Sequence, residues 1–267
     1  MAQNPMFNEE AFKRAQAQHQ RGFAMQDGPA AQETFEQPMH VVRGIDRANC
    51  MTLQGTINKT FFLLLICVVG GMLSWTNPQA WISYTGLLAI GALVVAIVTA
   101  FKPAISMFTA PVYAFLEGTL LGALSAMYNA QWDGIVFNAV SITVLVFFFM
   151  LFLYKFQIIR VTNGLMKGIF AATAAIAVLY IGSWILSLFG VSTAYLTSSS
   201  PLSIGISVVV CIVAALNFLT DFEFINRMTG EYEAPKYMEW YAGFSLLVTL
   251  VWLYLEILRL LGKTRSR

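Results

Sequence analysis

The chain reads as an all-α integral membrane protein of about seven transmembrane helices, on three observations. Of its 267 residues, 58% are hydrophobic and only 11% charged, too little polar surface to cover a soluble globule of that size. About 20 apolar residues cross a bilayer core, and seven stretches reach or approach that length, at 59–76, 81–101, 104–128, 134–155, 167–190, 201–225 and 238–262. Lys and Arg avoid these stretches and gather in alternate connections.

The elements follow in order. Residues 1–58 are polar, rich in Gln and Ala, and interleave acids with bases, so they lack the layout of a signal peptide and read as a largely disordered cytoplasmic tail. Phe7, Phe12, Phe23 and Phe35 are either docking points for a membrane-protein partner or isolated aromatics in a flexible segment. A seven-helix domain over 59–262 comes next. Its spans are punctuated by Asn77-Pro78, Lys102-Pro103, Thr162-Asn163-Gly164 and Ser198-Ser199-Ser200-Pro201, where a helix should stop. Trp75, Trp81, Trp132 and Trp240 fall near span ends, as interfacial anchors do. Residues 263–267 form a short basic C-terminal tail. No internal repeat is visible.

Positive residues are retained on the cytoplasmic side during insertion. The tail carries Lys13, Arg14, Arg21, Arg43, Arg47 and Lys59; the second connection has Lys102, the fourth Lys155, Arg160 and Lys167, and the sixth Arg227 and Lys236. The first, third and fifth connections have none, so the N-terminus is expected in the cytoplasm. Arg259, Lys263, Arg265 and Arg267 are the exception. They lie outside if the seventh segment crosses fully, as its length allows, and return inside if it is re-entrant.

Several function classes drop out. The net charge of +2 is spread over loops and tails, which argues against a nucleic-acid partner. Both histidines, His19 and His40, precede the first span, so no histidine-bound metal is expected in the membrane. Cys50, Cys67 and Cys211 are widely spaced; neither a disulfide nor a zinc site is expected. With no Ser/His/Asp group, metal-hydrolase string or phosphate-binding glycine loop, an enzyme is not expected.

Three carboxylates, Glu117, Asp221 and Glu256, lie inside the spans, with no Lys or Arg expected deep enough to neutralise them. Intramembrane acids usually face a protein interior or a water-filled path. The strings around them carry a resemblance. Ala-Leu-Asn-Phe-Leu-Thr-Asp-Phe-Glu-Phe-Ile ends the sixth span, Ala242 to Gly262 fill the seventh, and Phe115-Leu116-Glu117-Gly118-Thr119-Leu120-Leu121-Gly122 lies in the third. They resemble the Bax inhibitor-1 family, of bacterial type, over roughly residues 55–262. The resemblance implies two three-helix layers around a central C-terminal helix, and a pH-sensitive calcium leak gated by two aspartates. Asp221, with Ile225 four residues later, resembles the first. For the second, Leu253-Tyr254-Leu255-Glu256 reproduces the family's string with Glu for Asp; laying Ser245-Leu246-Leu247 and Leu258-Arg259-Leu260-Leu261-Gly262 on the pattern puts that position at Thr249 instead.

Depth orders these groups. At 1.5 Å per residue, Asp221 lies about 30 Å from Pro201, at the cytoplasmic edge; Glu256 lies about 24 Å beyond Trp240, toward the other edge, and Glu117 between them. Thr249 and Glu256, seven residues apart, share one face. One expectation is a ladder of ion and proton sites, Asp221, Glu117 and Glu256 with neutral oxygens from Thr249 and Asn217, in which Asp221 and Glu256 take up a transient calcium and no resident cofactor is needed. Burial disfavours a charged acid, so protons and cations would compete for the same oxygens. The competing expectation is that each acid stays protonated and bonds a neighbouring helix as glue. Glu223 should face the other way and be solvated. Gly118 and Gly122 have the spacing that lets helices approach closely.

The expected function is therefore a pH-sensitive cation leak, probed by liposome flux. A regulatory protein that modulates a membrane protease or stress response is one alternative, since bacterial relatives are linked to membrane proteases. A proton-coupled transporter is the other. The bacterial inner membrane is the expected location.

Overall fold

The computed structural model describes residues 49–190 and 198–266, so His19, His40 and the four tail phenylalanines lie outside the described residues. The described residues form eight α-helices: α1 Leu53–Trp75, α2 Pro78–Ile82, α3 Thr85–Phe101, α4 Ser106–Gln131, α5 Ile135–Lys155, α6 Asn163–Leu188, α7 Pro201–Gly230 and α8 Met238–Arg265. Six are long and apolar enough to cross a membrane, and α3 is a shorter apolar helix of 17 residues. The stretch expected at 81–101 is broken at Ser83 and Tyr84, so its first part becomes the five-residue α2.

Caps set the helix starts. The Thr52 side chain accepts from Gly55 N at 2.9 Å, so α1 begins at Leu53, earlier than the expected 59, and takes in the polar residues Gln54, Asn58 and Lys59. Thr162 caps α6 and Ser200 caps α7, where Pro201 sits in the first turn as the lost N–H permits. Gly134, at φ 72°, supplies the left-handed turn into α5.

Packing sorts the long helices into two layers. Helices α1 and α3 lie on α4, and α5 and α6 lie on α7. Between the layers α8 packs against α1, α4, α5 and α7, and half of its most apolar window is buried, the largest share of any span. Apolar clusters flank α8: Leu246, Leu253 and Ile257 join Phe218, Leu219 and Phe222 of α7 on one side, and Phe244, Leu247 and Val251 join Leu63, Cys67 and Tyr113 on the other. Large apolar side chains such as Phe101, Phe108, Leu145 and Phe170 point outward, as a lipid-facing surface requires.

Helix α8 is unbroken over 28 residues, about 42 Å. Its far end meets the start of α7 through Ser266 and Ser199, and Arg265 donates to the Asp133 carbonyl at 2.9 Å. Lys263, expected in a basic tail, is helical and only 7% exposed. At the opposite end residues 49–52 are pinned to the approach to α8. Met51 N donates to Ala234 O at 2.7 Å, Lys236 N to Asn49 O at 2.9 Å, and Thr52 gives both N–H and hydroxyl to Glu239 Oε1 at 3.0 and 2.8 Å. Cys67 and Cys211 are free thiols.

Candidate functional site

Asp221 sits where α7 crosses α8, with 8% of its surface exposed. Ser245 and Thr249 lie one turn apart on α8 and so project together. The Ser245 hydroxyl donates to Oδ1 at 2.6 Å and the Thr249 hydroxyl to Oδ2 at 2.6 Å. Among the described residues no basic side chain pairs with this carboxylate. Thr249, rather than Glu256, stands opposite Asp221. The depth expectation changes as well, because α7 runs on from Asp221 to Gly230 and leaves the acid about 14 Å short of the helix end.

Glu256 corrects the expectation of three unneutralised acids. It is 2% exposed, Arg259 Nη1 lies 2.9 Å from Oε1 and 3.2 Å from Oε2, and the Tyr180 hydroxyl donates to both oxygens at 3.0 Å. Arg259 also donates to the Tyr180 oxygen at 2.9 Å and sits over its ring, 5.2 Å from the centroid. Arg259 follows Glu256 by three residues, so both project from one face of α8 and the long side chain reaches the acid. Glu256 lies about 10 Å along α8 from Thr249, the residue that holds Asp221.

Glu117 lies on α4, beside Cys67 and Tyr113 of the cluster that flanks α8 on the side of α1 and α4. It is 9% exposed and makes no hydrogen bond or ion pair with a described residue. Close packing of α1 on α4 surrounds it: a Cβ at Gly118 would strike the Cys67 backbone, and one at Gly122 the Gly71 backbone. Asn217, one turn before Asp221, turns to α6, donating to Thr173 Oγ1 at 2.9 Å and to Val213 O at 2.8 Å. Glu223, expected in solvent, pairs with Arg227 at 2.7 Å and accepts from the Tyr154 hydroxyl at 3.0 Å. Among the described residues no group of three His, Cys, Asp or Glu side chains could hold a metal ion.

Two participants went unread in the sequence. Ser245 was legible as the residue one turn before Thr249 on the same face. Lys263 continues the face of Glu256 and Arg259 at helical spacing, and donates to Ser207 Oγ at 2.7 Å and Ser203 O at 3.4 Å.

No curated protein is similar enough to the chain to count as a match. The family model described as Bax inhibitor 1 like matches residues 4–266, which carries the resemblance into the N-terminal tail as well as across the helices. With two helical layers around a central last helix and a family match over nearly its whole length, the chain belongs to the Bax inhibitor 1 like family.

Proposed function

We propose that the protein is a pH-sensitive cation leak, with calcium as transient cargo rather than a resident cofactor and with no enzymatic step. The observation that carries this reading is the Asp221 carboxylate, buried between α7 and α8 and held by two neutral hydroxyls. A buried negative charge without a basic partner is costly, so the site favours states in which a proton or a cation shares its oxygens. An ionised carboxylate accepts both hydroxyls, whereas a protonated acid carries a donor of its own and gives up acceptor capacity. Occupancy by a proton therefore loosens the α7–α8 clamp. Because α8 bears on both layers, a change at this crossing reaches α1, α4 and α5.

Flux of calcium into liposomes loaded with a calcium dye tests the reading. Wild-type flux should rise as pH falls, and Asp221→Asn, which keeps the shape and removes the titration, should give flux that no longer varies with pH. Equal flux in wild type, Asp221→Asn and protein-free liposomes would sink the idea.

A regulatory reading has its own support: the family match begins at residue 4, and the root of the tail is pinned to the start of α8 by Thr52 and Glu239. A partner that pulled on the tail would act on the helix that bears Thr249. The clustering of Lys59, Lys102, Lys155, Lys167 and Lys236 near one set of helix ends supports a cytoplasmic N-terminus, in a bacterial inner membrane.

A further inference from the structure

A cavity of about 720 Å³ opens at the end of the bundle opposite Thr52 and Glu239, between the C-terminal parts of α4, α6 and α8. Both charged side chains that line it, Arg259 and Lys263, are cationic. Glu256 lies behind Arg259 and outside the lining, and Asp133, the acid of the neighbouring α4–α5 turn, is exposed and also outside it. Counting Glu256, Arg259 and Lys263 together leaves one positive charge in excess. Lys263 is buried against the neutral oxygens of Ser207 and Ser203, with no acid in contact among the described residues. A desolvated, uncompensated ammonium is costly, and its natural complement is an anion.

Donors are available for one. The guanidinium of Arg259 uses Nη1 for Glu256 and Tyr180, while Nη2 and Nε make no bond to a described residue. The side chain is 38% exposed. Lys263 donates two of its three N–H groups within the protein. The hydroxyls of Ser183 and Ser187 return to carbonyls of their own helix, at 2.7 and 2.6 Å, and add no donor. Trp132 and Trp184 complete the wall with broad apolar faces. A planar fork beside an ammonium fits the oxygens of a phosphate group, and a cavity of this size is far larger than a lone carboxylate needs.

We infer that this cavity binds a phosphate-bearing anion, with Arg259 and Lys263 as its ligands and Trp132 and Trp184 packing the organic portion. The site is separate from Asp221 and does not depend on the leak. An anionic phospholipid headgroup and free phosphate share the required chemistry, and the experiment separates them.

Native mass spectrometry of the full chain, released from a neutral detergent, is titrated with short-chain phosphatidylglycerol, short-chain phosphatidylcholine or inorganic phosphate. Phosphatidylglycerol should bind at least tenfold more tightly than phosphatidylcholine. Lys263→Met removes the charge but keeps the chain, and Ser187→Glu adds a negative charge on an exposed lining residue without touching a buried group. Each should weaken phosphatidylglycerol at least fivefold and leave phosphatidylcholine unchanged; if Lys263→Met does not fold, Ser187→Glu decides. Inorganic phosphate that competes, with the same dependence on Ser187→Glu, supports the site with the free anion as ligand. Equal retention of both lipids by wild type, or phosphatidylglycerol binding indifferent to both variants, overturns the proposal.

Discussion

At the scale of single residues the fold turns on one carboxylate and two hydroxyls. Asp221 was legible in the sequence as an acid in an apolar run, and its partner Thr249 as one of two registers for the last helix. The basic partner of Glu256 was carried by its i, i+3 spacing to Arg259, which a reading by depth alone passes over. The two charged groups lie 2.9 Å apart. The Thr249 hydroxyl is the sharper handle on the site. In Thr249→Val the shape is conserved but Asp221 Oδ2 loses its donor, a loss of about 1–3 kcal/mol for a buried polar group left short. Thermal unfolding in detergent should show a lowered midpoint for Thr249→Val and a near wild-type midpoint for Thr249→Ser, which keeps the hydroxyl. Equal midpoints for Val and wild type would mean that the 2.6 Å contact contributes nothing to the α7–α8 clamp.

At the scale of helices, the close approach of α1 to α4 rests on glycines at the crossing. The spacing of Gly118 and Gly122 announced a tight helix contact, yet the sequence held no sign of the partner, because Gly70 and Gly71 carry no charge or periodicity that names a neighbour. In the structure a Cβ at Gly70 would come within 2.7 Å of the Phe115 carbonyl, and one at Gly118 would overlap the Cys67 backbone. Backbone cannot rotate away as a side chain can, so Gly118→Ala must separate the two helices. Overpacking of this kind costs about 1–3 kcal/mol and here falls on the wall around Glu117. Gly168, in α6, meets nothing within 4 Å, so Gly168→Ala gains helix propensity of up to about 1 kcal/mol with no clash. Unfolding midpoints of the two variants should move in opposite directions. The same limit explains α2: local propensity did not show that a short helix would split from α3 at Ser83.

At the scale of the whole molecule, the layered fold was legible through the family resemblance, and the contacts of α8 with four helices supply its physical reason. A helix packed on several sides needs apolar residues all round, and α8 has them on both faces while α6, at the margin, buries only 11% of its window. The polar pins at the two ends of the bundle were hidden, because they join residues far apart in the chain: Thr52 and Glu239 at one end, Asp133 and Arg265 at the other. The pins at the Thr52 end begin at Asn49, so deleting residues 1–48 should leave the unfolding midpoint and calcium flux unchanged, while deleting residues 1–52 removes the Glu239 contacts and should lower the midpoint.

The unbroken α8 also places Lys236 and Thr264 at opposite ends of the bundle, both exposed. With the three native cysteines replaced by serine, Lys236→Cys and Thr264→Cys should label from opposite sides of the membrane. In intact spheroplasts a membrane-impermeant maleimide should reach Thr264→Cys, and should reach Lys236→Cys only after permeabilisation. That outcome would put Arg259, Lys263 and Arg265 on the outer side, against the tendency of positive residues to stay inside. It would leave two of them, Arg259 and Lys263, retained for the cavity they line rather than for topology. Labelling of both positions from the same side would require α8 to re-enter, in conflict with its continuous 28-residue span.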